Sequence, residues 1–286
     1  MGSSTIWYYP DPSGGLEEID FGDEDISGLI EIPVRDVRDS HSIGGAFHRT
    51  VLGGGLKVRI VCERFSGLTD AGKALARNLH SLETHLQRGG LMVFSADRDK
   101  AWMGVMEGTL LPQRGDSTLT TFGGNLLSVF TRTGVAASLA AGDELVLETF
   151  NPTMHREHLL TTSESGGVIT LDTSDGTDVR YDYTSEDFAI VRERNFYPAL
   201  RLPADQVGRS MLITDHRHTY TFDVTMEMDY LAISSLIPAA DSLGGTTPAQ
   251  GLYSLESLAA LTTTGGSVSR LDFDPTGGGA PGGTFN

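Results

Sequence analysis

TDAGKALARNLHSLETHLQRGG, residues Thr69 to Gly90, is the stretch whose reading decides the fold. Leu75, Leu79, Leu82 and Leu86 recur at steps of four, three and four, which puts them on one stripe of a helix. Lys73, Arg77, His80, Ser81, Glu83, Thr84 and Gln87 cover the other side. Thr69 or Asp70 can accept a hydrogen bond from the free N–H groups of the first turn. Arg88 suits the negative end of the helix dipole, and Gly89-Gly90 can adopt the left-handed conformation that stops the helix. The expected helix spans 69–88. Directly after it comes LMVFSAD, an apolar run of strand length. One helix with one apolar face, set among strands, needs a sheet to lie on.

Outward from the helix the pattern is β. IWYYPDPSGGLEEIDFG reads as a hairpin, and LKVRIVCERFS alternates Leu56, Val58, Ile60 and Cys62 against Lys57, Arg59, Val61 and Glu63. Pro33, in SGLIEIPVRDVRDSHS, places that strand at a sheet edge. The segment with Trp102, Met103, Val105 and Met106 is expected to be a strand covering the helix, and Thr118–Thr131 one or two more strands. ITDHRHTYTFDVTMEMDYLAI alternates Tyr220, Phe222, Val224, Met226 and Met228 against polar neighbours. Between these blocks, residues 134–190 have the rhythm of a small barrel, with strands at Glu144–Phe150, His155–Thr162 and Val168–Asp172.

The resulting expectation is a mainly β chain: a β-sandwich core over 1–133 and 191–237 with one packed helix, a small β-barrel inserted at 134–190, and an extended arm over 238–286. The arm is rich in Gly, Pro, Ser and Thr, which bury too little apolar area to offset ordering. Its Leu271, Phe273 and Phe285 are candidate anchors on a neighbouring subunit. No internal repeat is evident.

The chain has 286 residues and a net charge of −17. Proteins that grip a phosphate backbone concentrate Lys and Arg, and no such run exists here, so tight nucleic-acid binding is not expected. The single cysteine, Cys62, sits in an apolar strand and excludes an internal disulfide framework. The N-terminus lacks the basic-then-apolar order of a secretory signal, and no segment approaches the roughly 20 apolar residues that span a bilayer. These patterns predict a protein made in the cytoplasm, without a membrane anchor.

Chemistry-bearing residues were weighed against their bland readings. His155/His158 and His216/His218 could hold a metal, but no third ligand with suggestive spacing stands near. The acidic pairs Glu17-Glu18, Asp97/Asp99 and Glu186-Asp187 could serve glycoside hydrolysis; with 38 acidic residues such pairs arise by composition. Asp23–Gly28 lacks the ligand order of a calcium loop, and Gly53–Gly55 is followed by no Lys-Ser/Thr. Trp7, Tyr8 and Tyr9 could stack on sugars, although an aromatic strand is more often core. No catalytic, cofactor-binding or metal site is expected, and no enzymatic activity.

RIVCERFSGLTDAGKALARNLHSLETHLQRGGLMVFSADRDKAW, with NFYPALRLP and HRHTYTFDVTMEMD, resembles tail proteins of long-tailed bacteriophages, above all the distal tail protein. The resemblance covers about 5–130 and 190–232, in pattern rather than in a diagnostic motif. It implies a virion structural protein forming a ring, hexameric in that family, that joins the tail tube to the tip or baseplate and lines the DNA channel. Its implied partners are its own copies and the tube and tip proteins. DNA only passes through. The major tail tube protein is the nearest alternative. A carbohydrate-binding β-sandwich module is the alternative from another class.

Overall fold

The computed structural model describes residues 3–8, 10, 17–22, 26–41, 47–121, 139–149, 155–174, 178–186, 188–215 and 218–230, with backbone alone over 35–54. The arm at 238–286, His216, Asp23–Asp25 and Asp187 lie outside the described residues. The fold is mainly β, with antiparallel strand pairs throughout and one α-helix among the described residues. No described helix is long and apolar enough to cross a membrane.

The chain divides into two compact units. The first takes the described residues of 1–30, 59–98 and 197–286, and the second those of 31–58 and 99–196. This second unit draws on more of the chain than the 134–190 stretch in which a barrel was expected.

In the first unit, α1 (Asp70–Gln87) is capped by Thr69, whose hydroxyl accepts from Gly72 N at 3.0 Å. Gly89 ends it at φ +85°, the left-handed region glycine enters without a Cβ clash. Leu75, Leu79, Leu82 and Leu86 are all buried. They lie toward β2 (Glu17–Asp20), β5 (Leu91–Ser95) and β13 (Leu212–Thr214). The sheet beneath runs β2-β1-β5-β12-β14-β4-β3, with β13 paired to β14. Here β1 is Thr5–Tyr8, β3 Gly28–His41, β4 Phe47–Ser66, β12 Phe196–Arg201 and β14 Thr219–Met228. The period-two readings hold at most positions: Leu56, Val58, Ile60 and Cys62 of β4 are buried, as are Phe222, Val224, Met226 and Met228 of β14, but Tyr220 is only partly buried and Val61, read as outward, is buried. Pro33 lies in β3, which stands at the end of the strand order. A flat sheet would put β2 and β14 about 19 Å apart at 4.8 Å per strand. Yet Phe21, next to β2, meets Phe222 of β14 with ring centroids 6.2 Å apart. The sheet therefore curls until its β2 end faces β14 across the core.

The second unit holds a six-stranded sheet in the order β6-β11-β8-β9-β10-β7. Its strands are β6 (Met103–Glu107), β7 (Thr118–Thr120), β8 (Glu144–Thr149), β9 (His155–Ser165), β10 (Val168–Leu171) and β11 (Phe188–Glu193). The strand expected to cover the helix is β6, which belongs to this sheet and not to the one beneath α1. It pairs with β11, and its Met106 faces the core of this unit. The two end strands nearly meet: a Cβ on Gly104 of β6 would fall 2.7 Å from the side chain of Thr121, one residue past β7. Trp102, Met106, Leu147, Leu159, Ile169, Tyr183 and Val191 fill the interior.

Candidate functional site

The face of α1 opposite its leucines carries Lys73, Arg77, His80, Thr84 and Arg88, all exposed. Steps of four, three, four and four keep them on one stripe about 22 Å long at 1.5 Å per residue. Toward its C-terminal end the stripe borders a shallow cleft of about 560 Å³, with Arg209 on the opposite wall. The walls are fixed by hydrogen bonds. Gln87 Nε2 donates to Arg209 O at 2.9 Å, Gly208 N to Gln87 Oε1 at 2.7 Å, and Met211 N to Glu83 Oε1 at 2.9 Å. Glu83 also stands 3.5 Å from His80 Nδ1, and Lys73 meets Asp70 at 3.4 Å on the open surface. Arg77, Arg88 and Arg209 have no acidic partner among the described residues.

Under the leucine stripe lies a histidine that periodicity did not single out. His85 is 7% exposed, its Nε2 is 3.0 Å from Leu91 O, and Tyr8 lies 5.1 Å from its ring. An Nε2–H tautomer donates that bond. Burial holds its pKa below the ordinary histidine value, the hydrogen bond acting weakly the other way. Gly90 is required here, since a Cβ would meet the imidazole at 2.1 Å.

The second unit contains a buried charge quartet on the outer face of its sheet. Arg192 is fully buried, and its Nε donates to Glu148 Oε1 at 2.9 Å. Its Nη2 is 3.3 Å from Glu31 Oε1, and its Nη1 donates to the carbonyls of Glu193, Arg194 and Phe196. Arg156 Nη2 donates to Glu31 Oε1 at 2.6 Å, and its Nε stands 3.4 Å from Glu148 Oε2. Two guanidinium groups and two carboxylates thus alternate and cancel, which is what makes the burial tolerable. The sequence signal was a charge inside an apolar strand, ELVLET and FAIVRE. Which charges meet depends on register: Glu148 stands opposite Ile190, and Arg156 opposite Glu148.

Two further polar clusters lie in the same unit. Tyr183 OH donates to buried Glu157 at 2.8 Å, and burial together with that carboxylate pushes the phenol well up. His155 stacks on half-exposed Tyr181 at 4.8 Å, with Glu186 Oε1 3.8 Å from its Nε2. Glu193 is 7% exposed and accepts from Asn195 N; burial pushes its pKa up to about 7, with Asp143 adding to the rise while Arg192 and Lys100 oppose it. Lys100 itself bonds Asp143 at 2.5 Å.

The residues weighed from sequence do not converge. His155 and His158 are on opposite faces of β9, because an odd step reverses direction along a strand. His158 sits among arginines, and burial with Arg156 and Arg194 lowers its pKa. Glu18 is bound to Arg98 at 2.5 Å, and Trp7 and Tyr8 are core residues unavailable to a sugar. Among the described residues no group of three His, Cys, Asp or Glu could hold a metal ion. Cys62 is buried and reduced. The chain matches no protein-family model and no curated protein.

Proposed function

We propose that this chain is a virion structural protein of a tailed phage, a distal tail protein that forms a ring between the tail tube and the tip. The tail-tube-like β-sandwich of that family would be the curled sheet with α1 laid on it. The observation that carries this reading is the β3–β4 ribbon. At 14 and 20 residues these strands exceed the usual 3–10. β3 stands at the end of its sheet, so among the described residues no strand pairs with its outer backbone groups. Long unpaired edges are normally blunted or covered. A neighbouring subunit in a ring covers one, and rings close when successive subunits repeat the same rotation. The net charge of −17 fits a wall that DNA slides past without adhering. The clusters described above are knit by hydrogen bonds and ion pairs into the fold, which favours a function of shape and assembly.

Mass photometry and negative-stain imaging of the full chain, alone and with a tail tube protein, test the proposal. Rings of uniform diameter, six subunits round, are expected. A strictly monomeric chain under both conditions sinks it.

A second reading is favoured by one observation. Tyr181, 46% exposed and held flat by stacking on His155, is the kind of aromatic surface on which sugars stack. A glycan array on the full chain tests for a carbohydrate-binding module. Specific binding lost in Tyr181→Ala supports it, and no binding removes it. The 134–190 segment alone is the wrong reagent, since β6, β7 and the end of β11 lie outside it.

A further inference from the structure

Charge is segregated along this chain. The first 34 residues contain eight acidic side chains and no Lys or Arg. Six of the eight fall within Glu17–Asp25, EEIDFGDED. Of these, Glu18 and Asp20 are held by Arg98 of the same chain. Asp23-Glu24-Asp25 are three consecutive carboxylates in the sequence. The outer face of α1 has the opposite character, with Lys73, Arg77, His80 and Arg88 in line and Arg209 across the cleft. In a protein with 38 acidic and 21 basic residues, Arg77, Arg88 and Arg209 stand out because none has an acidic partner among the described residues. Elsewhere in the first unit Arg59, Arg98 and Arg201 each have one, whereas Arg64, like Arg77, Arg88 and Arg209, has none among the described residues.

We infer that the cationic stripe and cleft of α1 are a docking site for the acidic run Asp23-Glu24-Asp25 of a second copy of this chain. The proposal rests on the ring reading and names the contact that would build the ring. A basic patch meeting a different, acidic patch on the next copy is a heterologous contact, the type that generates rings. Three acidic residues in extended chain span about 10 Å, within reach of long arginine side chains on both cleft walls. Guanidinium groups suit this role because their planar fork accepts carboxylates in pairs. The walls are ready-made, since Gln87 and Glu83 already hold the 208–211 backbone in place. A nucleic-acid backbone would also seek these arginines, but the chain's net −17 opposes a polyanion approaching from bulk solvent. A short acidic segment on a complementary surface meets that opposition only locally.

The test uses the full chain and two charge-reversed forms, Arg77→Glu/Arg88→Glu/Arg209→Glu and Asp23→Lys/Glu24→Lys/Asp25→Lys, with circular dichroism to show that each folds. Mass photometry is expected to find that each reversed form loses rings, and that an equimolar mixture of the two regains them. Rings unchanged in both reversed forms overturn the proposal while leaving the ring reading intact. A labelled peptide of residues 15–27 separates the two ideas further. It is expected to bind the wild-type chain and to lose about tenfold or more in affinity for the arginine-reversed chain and at high salt. Peptide binding of this kind by a chain that forms no rings keeps the docking site and sinks the ring. Equal peptide binding to both chains overturns the site, as does tighter binding of a 20-base-pair DNA duplex than of the peptide at about 150 mM salt.

Discussion

Replacing Arg192 by methionine should be among the most damaging single changes in the second unit. The guanidinium is fully buried, and Glu148 beside it is 1% exposed. Methionine keeps the aliphatic volume and removes the charge, so the loss is electrostatic rather than a cavity. Glu148 would keep Arg156 Nε at 3.4 Å as its nearest cation, without a hydrogen bond to it. Breaking a buried pair by removing one member costs about 3–5 kcal/mol. Three carbonyls, of Glu193, Arg194 and Phe196, also lose their shared donor, which places the expected value toward the upper end. The two tryptophans allow a clean measurement, because Trp7 belongs to the first unit and Trp102 to the second. Urea unfolding followed through Trp102 in a Trp7→Phe background should show the midpoint falling by about 2 M at an m-value of about 2 kcal/mol per M. Adding Glu148→Met should recover part of the loss, since it removes the stranded carboxylate; a coupling of about 1–3 kcal/mol is expected from the cycle. An Arg192→Met chain within about 0.5 kcal/mol of its parent would refute the reasoning. So would a double mutant no better than the sum of the singles.

In the first unit, Leu82→Ala removes a fully buried side chain from the helix stripe and should cost about 2–5 kcal/mol, read through Trp7 fluorescence in a Trp102→Phe background. A change under about 0.5 kcal/mol would mean the stripe packs on nothing. The contributions of His85 and Glu193 to stability should run in opposite directions with pH. His85 binds its proton less well folded than unfolded, so the first unit loses stability as pH falls below about 6.5, and His85→Gln should remove that slope. Glu193 binds its proton more tightly folded than unfolded. The second unit therefore loses stability as pH rises from about 4.5 toward about 7, and Glu193→Gln should abolish the effect. Stability curves of the two single-tryptophan chains from pH 4 to 8, each with and without its substitution, check both; a slope left unchanged by His85→Gln or by Glu193→Gln would contradict the burial argument.

The sequence by itself determined what periodicity can carry. Four leucines at helical spacing, a threonine cap and a terminal glycine define α1 without any tertiary information, because each acts within a few residues of itself. Alternation did the same for most of β4 and β14, failing at Val61, which is buried, and at Tyr220, which is only partly so. What only the tertiary structure decided is which strands share a sheet. β6 follows the helix closely in sequence yet pairs with β11, more than eighty residues on, because strand pairing is a contest among many apolar faces of similar quality. The same holds for charge. Nothing local says that Glu31, Glu148, Arg156 and Arg192 meet, since Arg192 and Glu31 are 161 residues apart and the meeting depends on register. Burial of His85 likewise needed the whole packing, because its position beside the leucine stripe fits a flank as well as a core. The helix that organises the chain was legible from its own residues. Its outer face acquired meaning only when the fold put Arg209 opposite Arg88.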